Sequence, residues 1–423
     1  MSSQASSRLK RLQIMALLFL LVAGIINFLD RTSLSIANTT IREEMGLTAT
    51  EMGLLLSVFS FGYALCQLPI GMVMERFGVK KVYGFGIFLW SAAQTALGFV
   101  GSFSQMIVAR IVLGIGESPH LPTGVKVVND WYNIRQRGVP MGIVNMSSTL
   151  AQALAPPLLI AMMLAFGWRM MFIIIGVSGI ILSILWFMFY RNREDAGLSA
   201  EDIAHLEEET PPSSKEKVTL RDWAGLFKQK SMWGMIIGFN GVGYMVWLFL
   251  TWLPSYLQTE RGFDGGAIGF ASALVAVVGV PGALFFSHLS DKFRDSKVKV
   301  ILGLEIVAAA MLMFTVLSPN TTMLMISLVL YGLLGKMAVD PILISFVSEQ
   351  ASAKTLGRAF SLFNFFGMSS AVVAPTLTGF ISDLTGSKEI SFVMSAGLVI
   401  TGTILFALIT LRKNKIQSKT IPV

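Results

Sequence analysis

Asp30, Arg31, Arg110 and Glu117 are ionisable side chains set inside stretches of the chain that are otherwise apolar. Glu117 belongs to RIVLGIGESPHLP, residues 110–122, near the middle of an apolar segment running from Phe103 to Trp131. Arg110 precedes it by seven residues, two helical turns, so both fall on one helix face. Asp30 and Arg31 lie about sixteen residues into IMALLFLLVAGIINFLDRTSLSIAN, where adjacent side chains point about 100° apart and should each reach a different neighbour. Charge at that depth in hydrocarbon is expensive, so these groups are expected to face protein or a wet cavity. Desolvation and nearby cations pull the ionisation of a buried carboxylate in opposite directions, the balance that proton coupling uses. Arg31, a planar fork of donors, suits capture of a carboxylate. The chemistry expected is proton movement at Asp30 and Glu117 and anion capture at Arg31. A buried ion-pair network that only locks helices together is the plain alternative for all four.

Polar groups at helical spacing surround this set. Tyr63 and Gln67 lie four apart in FGYALCQLPIG and share a face, as do Ser148 and Gln152, and Asn240 and Tyr244. Lys336 and Asp340 are also four apart, so they can neutralise each other, or a ligand carboxylate can compete with Asp340 for Lys336. Asn364 can bond a ligand hydroxyl. His120, one turn from Glu117, is either a proton relay or a plain helix-lining side chain. Trp252 and Tyr256 are expected as interfacial anchors. His120, His205 and His288 are too scattered for a metal cluster, and Cys66, the one cysteine, permits no internal disulfide and supports no cysteine-based metal site.

Helices crossing a membrane must position these groups. Of 423 residues, 54% are hydrophobic and only 14% charged, with a mean hydropathy of +0.68. Twelve apolar segments long enough to span begin near Ile14, Met52, Val82, Phe103, Gly138, Met170, Met232, Ala267, Val298, Met323, Gly357 and Ser391. The first contains Asp30 and Arg31 and lacks a small-residue cleavage signature, so it reads as a retained span. The net charge of +8 is explained by where the basic residues fall, and no nucleic-acid partner is expected. With the N-terminus inside, 25 of 33 Lys and Arg fall in the termini and even loops, whereas odd loops hold only Arg42, Arg169, Arg261 and Lys388. Both termini are therefore expected in the cytoplasm.

A shift of 219 residues superposes Gly138 on Gly357, Asn145 on Asn364, Ala155 on Ala374, Pro156 on Pro375 and Gly167 on Gly386 without a gap. That repeat predicts two parallel six-helix halves. The expected division is an N-terminal bundle over 1–190, a cytoplasmic linker over 191–230 and a C-terminal bundle over 231–423. The same shift brings Glu117 onto Lys336, so a carboxylate and an ammonium would face one central cavity. Within the linker, SAEDIAHLEEE predicts a short helix with Ser199 as N-cap, and Pro211 and Pro212 end it.

The turn GMVMERFGVKK, with Gly71, Glu75, Arg76, Gly78, Lys80 and Lys81, reads as a charged cytoplasmic latch. It resembles the signature of the major facilitator superfamily, as Arg110, Gly114, Gly116 and Glu117 resemble that family's fourth-helix motif. NFLDRT at 27–32, GIGESP at 114–119, NDWY at 129–132 and TWLPSYL at 251–257 resemble its anion:cation symporter branch, particularly bacterial sugar-acid transporters. The SHLSDKF turn with Asp291 lacks the leading glycine, which implies a weaker latch in the second half. Pro341, Leu343 and Ile344 also depart from the hydroxyl and aromatic residues of that branch, leaving this helix to fix a ligand by charge.

The resemblance implies an all-α membrane protein of twelve transmembrane helices in two pseudo-symmetric bundles, monomeric, in the bacterial inner membrane. It implies import of an organic monoanion, an aldonate or hexuronate, with protons as the coupling ion and no cofactor. Arg31 and Lys336 would hold the carboxylate; Tyr63, Gln152, Tyr244 and Asn364 would arrange the hydroxyls. Arg110 would partner Glu117 until protonation loosens the network, Asp340 would partner Lys336, and Gly71, Glu75 and Arg76 would form the gating loop. Rival readings are an antiporter or exporter for dicarboxylates or aromatic acids, and a membrane sensor without turnover. An enzyme is not expected, since the sequence offers no nucleophile–base set, phosphate-cradling loop or metal-ligand cluster.

Overall fold

The computed structural model describes residues 6–207, 230–292, 297–335, 338–339, 342–343 and 356–417. They form fourteen α-helices and two 3-10 turns, with no strand among the described residues. In order the helices are α1 Ser7–Ile36, α2 Asn38–Met45, α3 Ala49–Phe77, α4 Val79–Leu97, α5 Phe103–Glu117, α6 His120–Trp131 and α7 Gly138–Phe189. After α8 Ala200–Glu207 come α9 Lys230–Thr259, α10 Gly265–Lys292, α11 Lys297–Leu317, α12 Thr321–Leu334, α13 Leu356–Thr385 and α14 Glu389–Gln417.

Local chemistry sets many of these limits. Ser6 caps α1 by accepting from Leu9 N, and Ser102 and Asn320 do the same for α5 and α12. Ser199 accepts from Asp202 N at 3.1 Å, as the linker pattern predicts. Pro119 lacks an N–H and separates α5 from α6. The 52 residues of α7 are two helices, divided at Gly167 by a backbone φ of 78°. Gly386, its counterpart in the sequence repeat, takes a φ of 73° after α13, and Pro156 and Pro375 both lie inside helices.

Seven helices are long and apolar enough to cross a membrane among the described residues, the divided α7 counted once. Their outward residues are bare hydrocarbon: Leu18, Leu65, Leu164, Leu284 and Leu408 each expose more than half their area. In lipid such surface needs no cover, and helices associate by packing and hydrogen bonds instead. The chain divides into two compact units, one of Met1–Leu47 with Val58–Lys215, the other of Thr48–Ser57 with Glu216–Val423.

Within the first unit, α1 and α4 pack along α7. Trp90, Trp131 and Trp186 are fully buried there, and the Trp186 ring stacks on Tyr190 at 3.8 Å. Gln94 donates to the Ser33 hydroxyl at 3.0 Å, tying α4 to α1. Within the second unit, α9 packs against α13 and α14, and Ile236, Ile301, Leu304, Val339, Leu343 and Phe406 form a core. Leu343 is thus a packing residue in its own right.

Two sequence expectations are corrected here. Trp252 and Tyr256 are fully buried inside the second unit and are not interfacial anchors. The Trp252 indole N–H donates to Pro375 O at 3.1 Å, and the Tyr256 hydroxyl accepts from Arg261 Nε at 2.8 Å. A ring whose polar tip finds a protein partner gains nothing further at the water boundary.

Candidate functional site

The first unit assembles the charged cluster from three helices. Gly114 lets α5 close on α3: a Cβ there would come 2.2 Å from Phe59 O, so any larger residue would push the helices apart. This approach sets the α5 charges against the α3 aromatics. Arg110 is 2% exposed, and its guanidinium carbon lies 4.9 Å from the Phe59 ring centroid. Arg31, from α1, lies 5.1 Å from the same ring and 4.8 Å from the Tyr63 ring. Two cations thus share a wall of π-faces, an arrangement that attracts guanidinium most where water is excluded.

Glu117 is completely buried, and its Oε2 accepts from Arg31 Nε at 2.7 Å. This cation comes from α1, and Arg110, which the spacing within RIVLGIGESPHLP sets on the same face, also acts electrostatically on Glu117. Arg31 keeps 23% of its side chain exposed, so it joins a sealed carboxylate to an accessible edge. Asp30 is completely buried, and neither carboxyl oxygen has a hydrogen-bond partner among the described residues. It is electrostatically coupled to Glu117, Arg110 and Arg31. Burying a carboxyl in this way is costly unless its charge state responds to those neighbours.

Around the cluster, Tyr63 is 2% exposed and its hydroxyl accepts from Gln67 Nε2 at 3.1 Å. His120 is buried, its Nδ1 2.7 Å from the Tyr83 hydroxyl, so this histidine is held in a defined hydrogen bond. Gln152 is half-buried in the first part of α7. Gly71, Glu75 and Arg76 are exposed at the end of α3, where a Cβ on Gly71 would meet nothing within 4 Å. The following turn is fixed by Gly78, at φ 79°, and by Asn192, whose side-chain oxygen accepts from Lys80 N at 3.0 Å.

In the second unit Tyr244 is buried, with its hydroxyl 3.4 Å from Thr378 Oγ1. Asn240 donates to Ile236 O at 2.8 Å and accepts at its Oδ1 from the hydroxyls of Ser369 at 2.7 Å and Ser370 at 2.8 Å. Sequence reasoning passed over both serines; their place one turn beyond Phe366 carries no signal without the partner helix. Lys336, Asp340, Pro341, Ile344 and Asp291's side chain lie outside the described residues, as does the side chain of Asn364 within α13. Glu305 was also missed, although an acid in KVILGLEIVAAAM is a legible signal. No group of three or more His, Cys, Asp or Glu poised to hold a metal occurs among the described residues.

Long apolar helices in two units, one of them burying Asp30, Arg110 and Glu117, are those of a polytopic membrane protein. The chain belongs to the Major Facilitator Superfamily, whose family model matches residues 20–375. It is an all-α membrane protein of the major facilitator fold and a transporter, not an enzyme. It is 40% identical over 417 residues to a probable L-galactonate transporter of Escherichia coli (strain K12), covering 95% of this chain and 90% of that one. With a hexuronate transporter of Bacillus subtilis (strain 168) it shares 29% identity, covering 91% of each. Among solved structures, a bacterial homologue of the human lysosomal transporter Spinster superposes with a TM-score of 0.80 at 17% identity, over 94% of this chain and 96% of that one. The nucleoside transporter NupG, in a mutant form, gives 0.75 at 14% identity, over 93% and 100%.

Proposed function

We propose that this transporter imports a C6 sugar acid, an aldonate such as galactonate or a hexuronate, together with protons. The observation that carries the reading is the Arg31–Glu117 pair, in which a partly exposed guanidinium is bound to a fully buried carboxylate. A substrate carboxylate arriving at the exposed edge of Arg31 competes with Glu117 for the same donors. Protonating Glu117 releases Arg31 to the substrate, and ejecting the substrate's anion returns Arg31 to Glu117. Proton and anion are thereby favoured together. Asp30, coupled to the same charges, is the second proton-carrying group. The names of the relatives, galactonate and hexuronate transporters, support the substrate class.

Tyr63 and Gln152 in the first half, with Tyr244 and Asn364 in the second, arrange the sugar hydroxyls, and Lys336 supplies a second cation beside Asp340. The two halves, 1–190 and 231–423, exchange access across the inner membrane of a bacterium, with both termini and the linker 191–230 cytoplasmic. Gly71, Glu75 and Arg76 form the gating turn, and the monomer suffices. With the inside negative, each positive charge moving inward gains roughly 2.3 kcal/mol per 100 mV. For the membrane potential to drive a monoanion inward, more than one proton must travel with it, which two titrating carboxyls can supply.

Glu117→Gln tests this reading in liposomes. The variant should lose accumulation driven by a pH gradient while retaining exchange of internal for external sugar acid. Full pH-driven accumulation by Glu117→Gln would overturn the assignment.

A further inference from the structure

The second unit holds a buried carboxyl that plays no part in the reading above. Glu305 lies in the first half of α11 and is completely buried. Its Oε2 is 2.8 Å from the Thr403 hydroxyl oxygen of α14, and its Oε1 has no hydrogen-bond partner among the described residues. Thr403, 3% exposed, lies 2.7 Å from the carbonyl oxygen of Val399, one turn back on its own helix.

A threonine hydroxyl has one hydrogen, yet here it meets two oxygens at hydrogen-bonding distance. If the hydrogen goes to Val399 O, the usual back-bond of a threonine within a helix, a second hydrogen is needed between Thr403 Oγ1 and Glu305 Oε2. Only the Glu305 carboxyl can supply it. If the hydrogen goes to Glu305 instead, two oxygens face each other at 2.7 Å with nothing between them. An ionised Glu305 would also keep a single donor for two buried oxygens, with no cation against it: no ion pair reaches Glu305 among the described residues.

We propose that Glu305 is a proton-binding site of the second unit, its neutral carboxyl donating to Thr403 Oγ1 and Thr403 donating to Val399 O. The bound proton clamps α11 to α14. Loss of that proton leaves a buried carboxylate to which Thr403 can turn its hydrogen only by giving up its bond to Val399 O, which loosens this point of contact. Among the described residues, no ion pair reaches Glu305 from the helices packed against α11. On α14, Glu389 pairs with Arg261 and is fourteen residues, about 21 Å, from Thr403. On α12, Tyr331 stacks on Phe249 at 4.1 Å, and on α10 His288 and Lys292 belong to the last two turns. The site is independent of the coupling role given to Asp30 and Glu117 and would hold for any substrate.

Infrared spectroscopy of the full chain in lipid, combined with thermal unfolding, tests the proposal. The difference between wild type and Glu305→Gln at neutral pH should contain one band of a protonated carboxylic acid that shifts on exchange into heavy water. Thr403→Val should keep that band but move it to higher frequency, because its hydrogen bond is gone. Glu305→Gln, which keeps a neutral donor, should unfold at the wild-type temperature, whereas Glu305→Ala should unfold several degrees lower. A wild-type spectrum showing a carboxylate band in place of the acid band at this position would overturn the proposal. So would equal destabilisation by Glu305→Gln and Glu305→Ala. Sugar-acid transport is not the readout, so failure of the coupling scheme in the first unit leaves this result unaffected.

Discussion

Arg31 Nε lies 2.7 Å from Glu117 Oε2, a contact between α1 and α5 across 86 residues of sequence. Removing one partner of such a pair leaves the other charge buried and unanswered, at a cost of about 3 kcal/mol. Arg31→Ala should therefore lower the unfolding temperature clearly, and Arg31→Ala combined with Glu117→Gln should recover much of the loss. Differential scanning fluorimetry of the three proteins checks the coupling. Additive losses would mean that the contact is energetically idle.

Asp30 should separate from Glu117 in kinetics. Asp30→Asn makes neutral a side chain whose oxygens have no hydrogen-bond partner, so protein stability should hold or rise. Accumulation driven by a pH gradient should fall at least tenfold, while substrate-induced thermal stabilisation persists. Uptake assays and thermal shifts on one preparation read both quantities.

The first turns of α3 are fastened within the second unit by α13. Asp383 accepts from Ala49 N at 2.9 Å and Thr50 N at 2.7 Å, satisfying helix donors that would otherwise lack partners. Gly379 of α13 lies so close that a Cβ there would come 2.1 Å from Ala49 O. Asp383→Ala should cost about 1 kcal/mol, as loss of an N-cap does. Gly379→Ala should cost about 1–3 kcal/mol, because backbone has to move. Cysteine accessibility at Thr50 should rise in both variants.

Glu44, in the short helix α2 beyond the end of α1, gives a pH signature. Its carboxylate accepts from the Trp168 indole at 2.6 Å and pairs with Arg169, and these contacts hold it below its ordinary value of 4.5. A depressed folded value means that the stabilisation is complete above 4.5 and disappears as pH falls through the folded value. Wild type should be more stable than Glu44→Gln at neutral pH, and the two should converge in more acidic solution. Melting curves across that range measure it. Exposure of nearly half of Glu44 keeps the difference small.

What the sequence made legible was whatever backbone geometry or lipid dictates locally. The repeat that paired Gly167 with Gly386 met two glycines at positive φ, because only glycine takes that conformation cheaply where a helix must stop and turn. Ser199 was readable as a cap for the same local reason. Contacts between helices were not. Seven-residue spacing aligned Arg110 with Glu117 on one face but could not show the contact that Arg31 adds, since that depends on how α1 rotates against α5. Trp252 looked like an anchor from its position near a helix end, but α13 offers its indole a carbonyl. Glu305 was readable as an acid among apolar residues; the threonine oxygen that gives it meaning is 98 residues away.

The most direct measurement is simultaneous recording of sugar-acid and proton entry into liposomes carrying the purified transporter. On addition of galactonate or a hexuronate, the account predicts anion uptake accompanied by alkalinisation outside, with more than one proton per anion and both fluxes lost in Glu117→Gln. Sugar-acid uptake without proton entry, or proton-coupled uptake that survives Glu117→Gln, would contradict it.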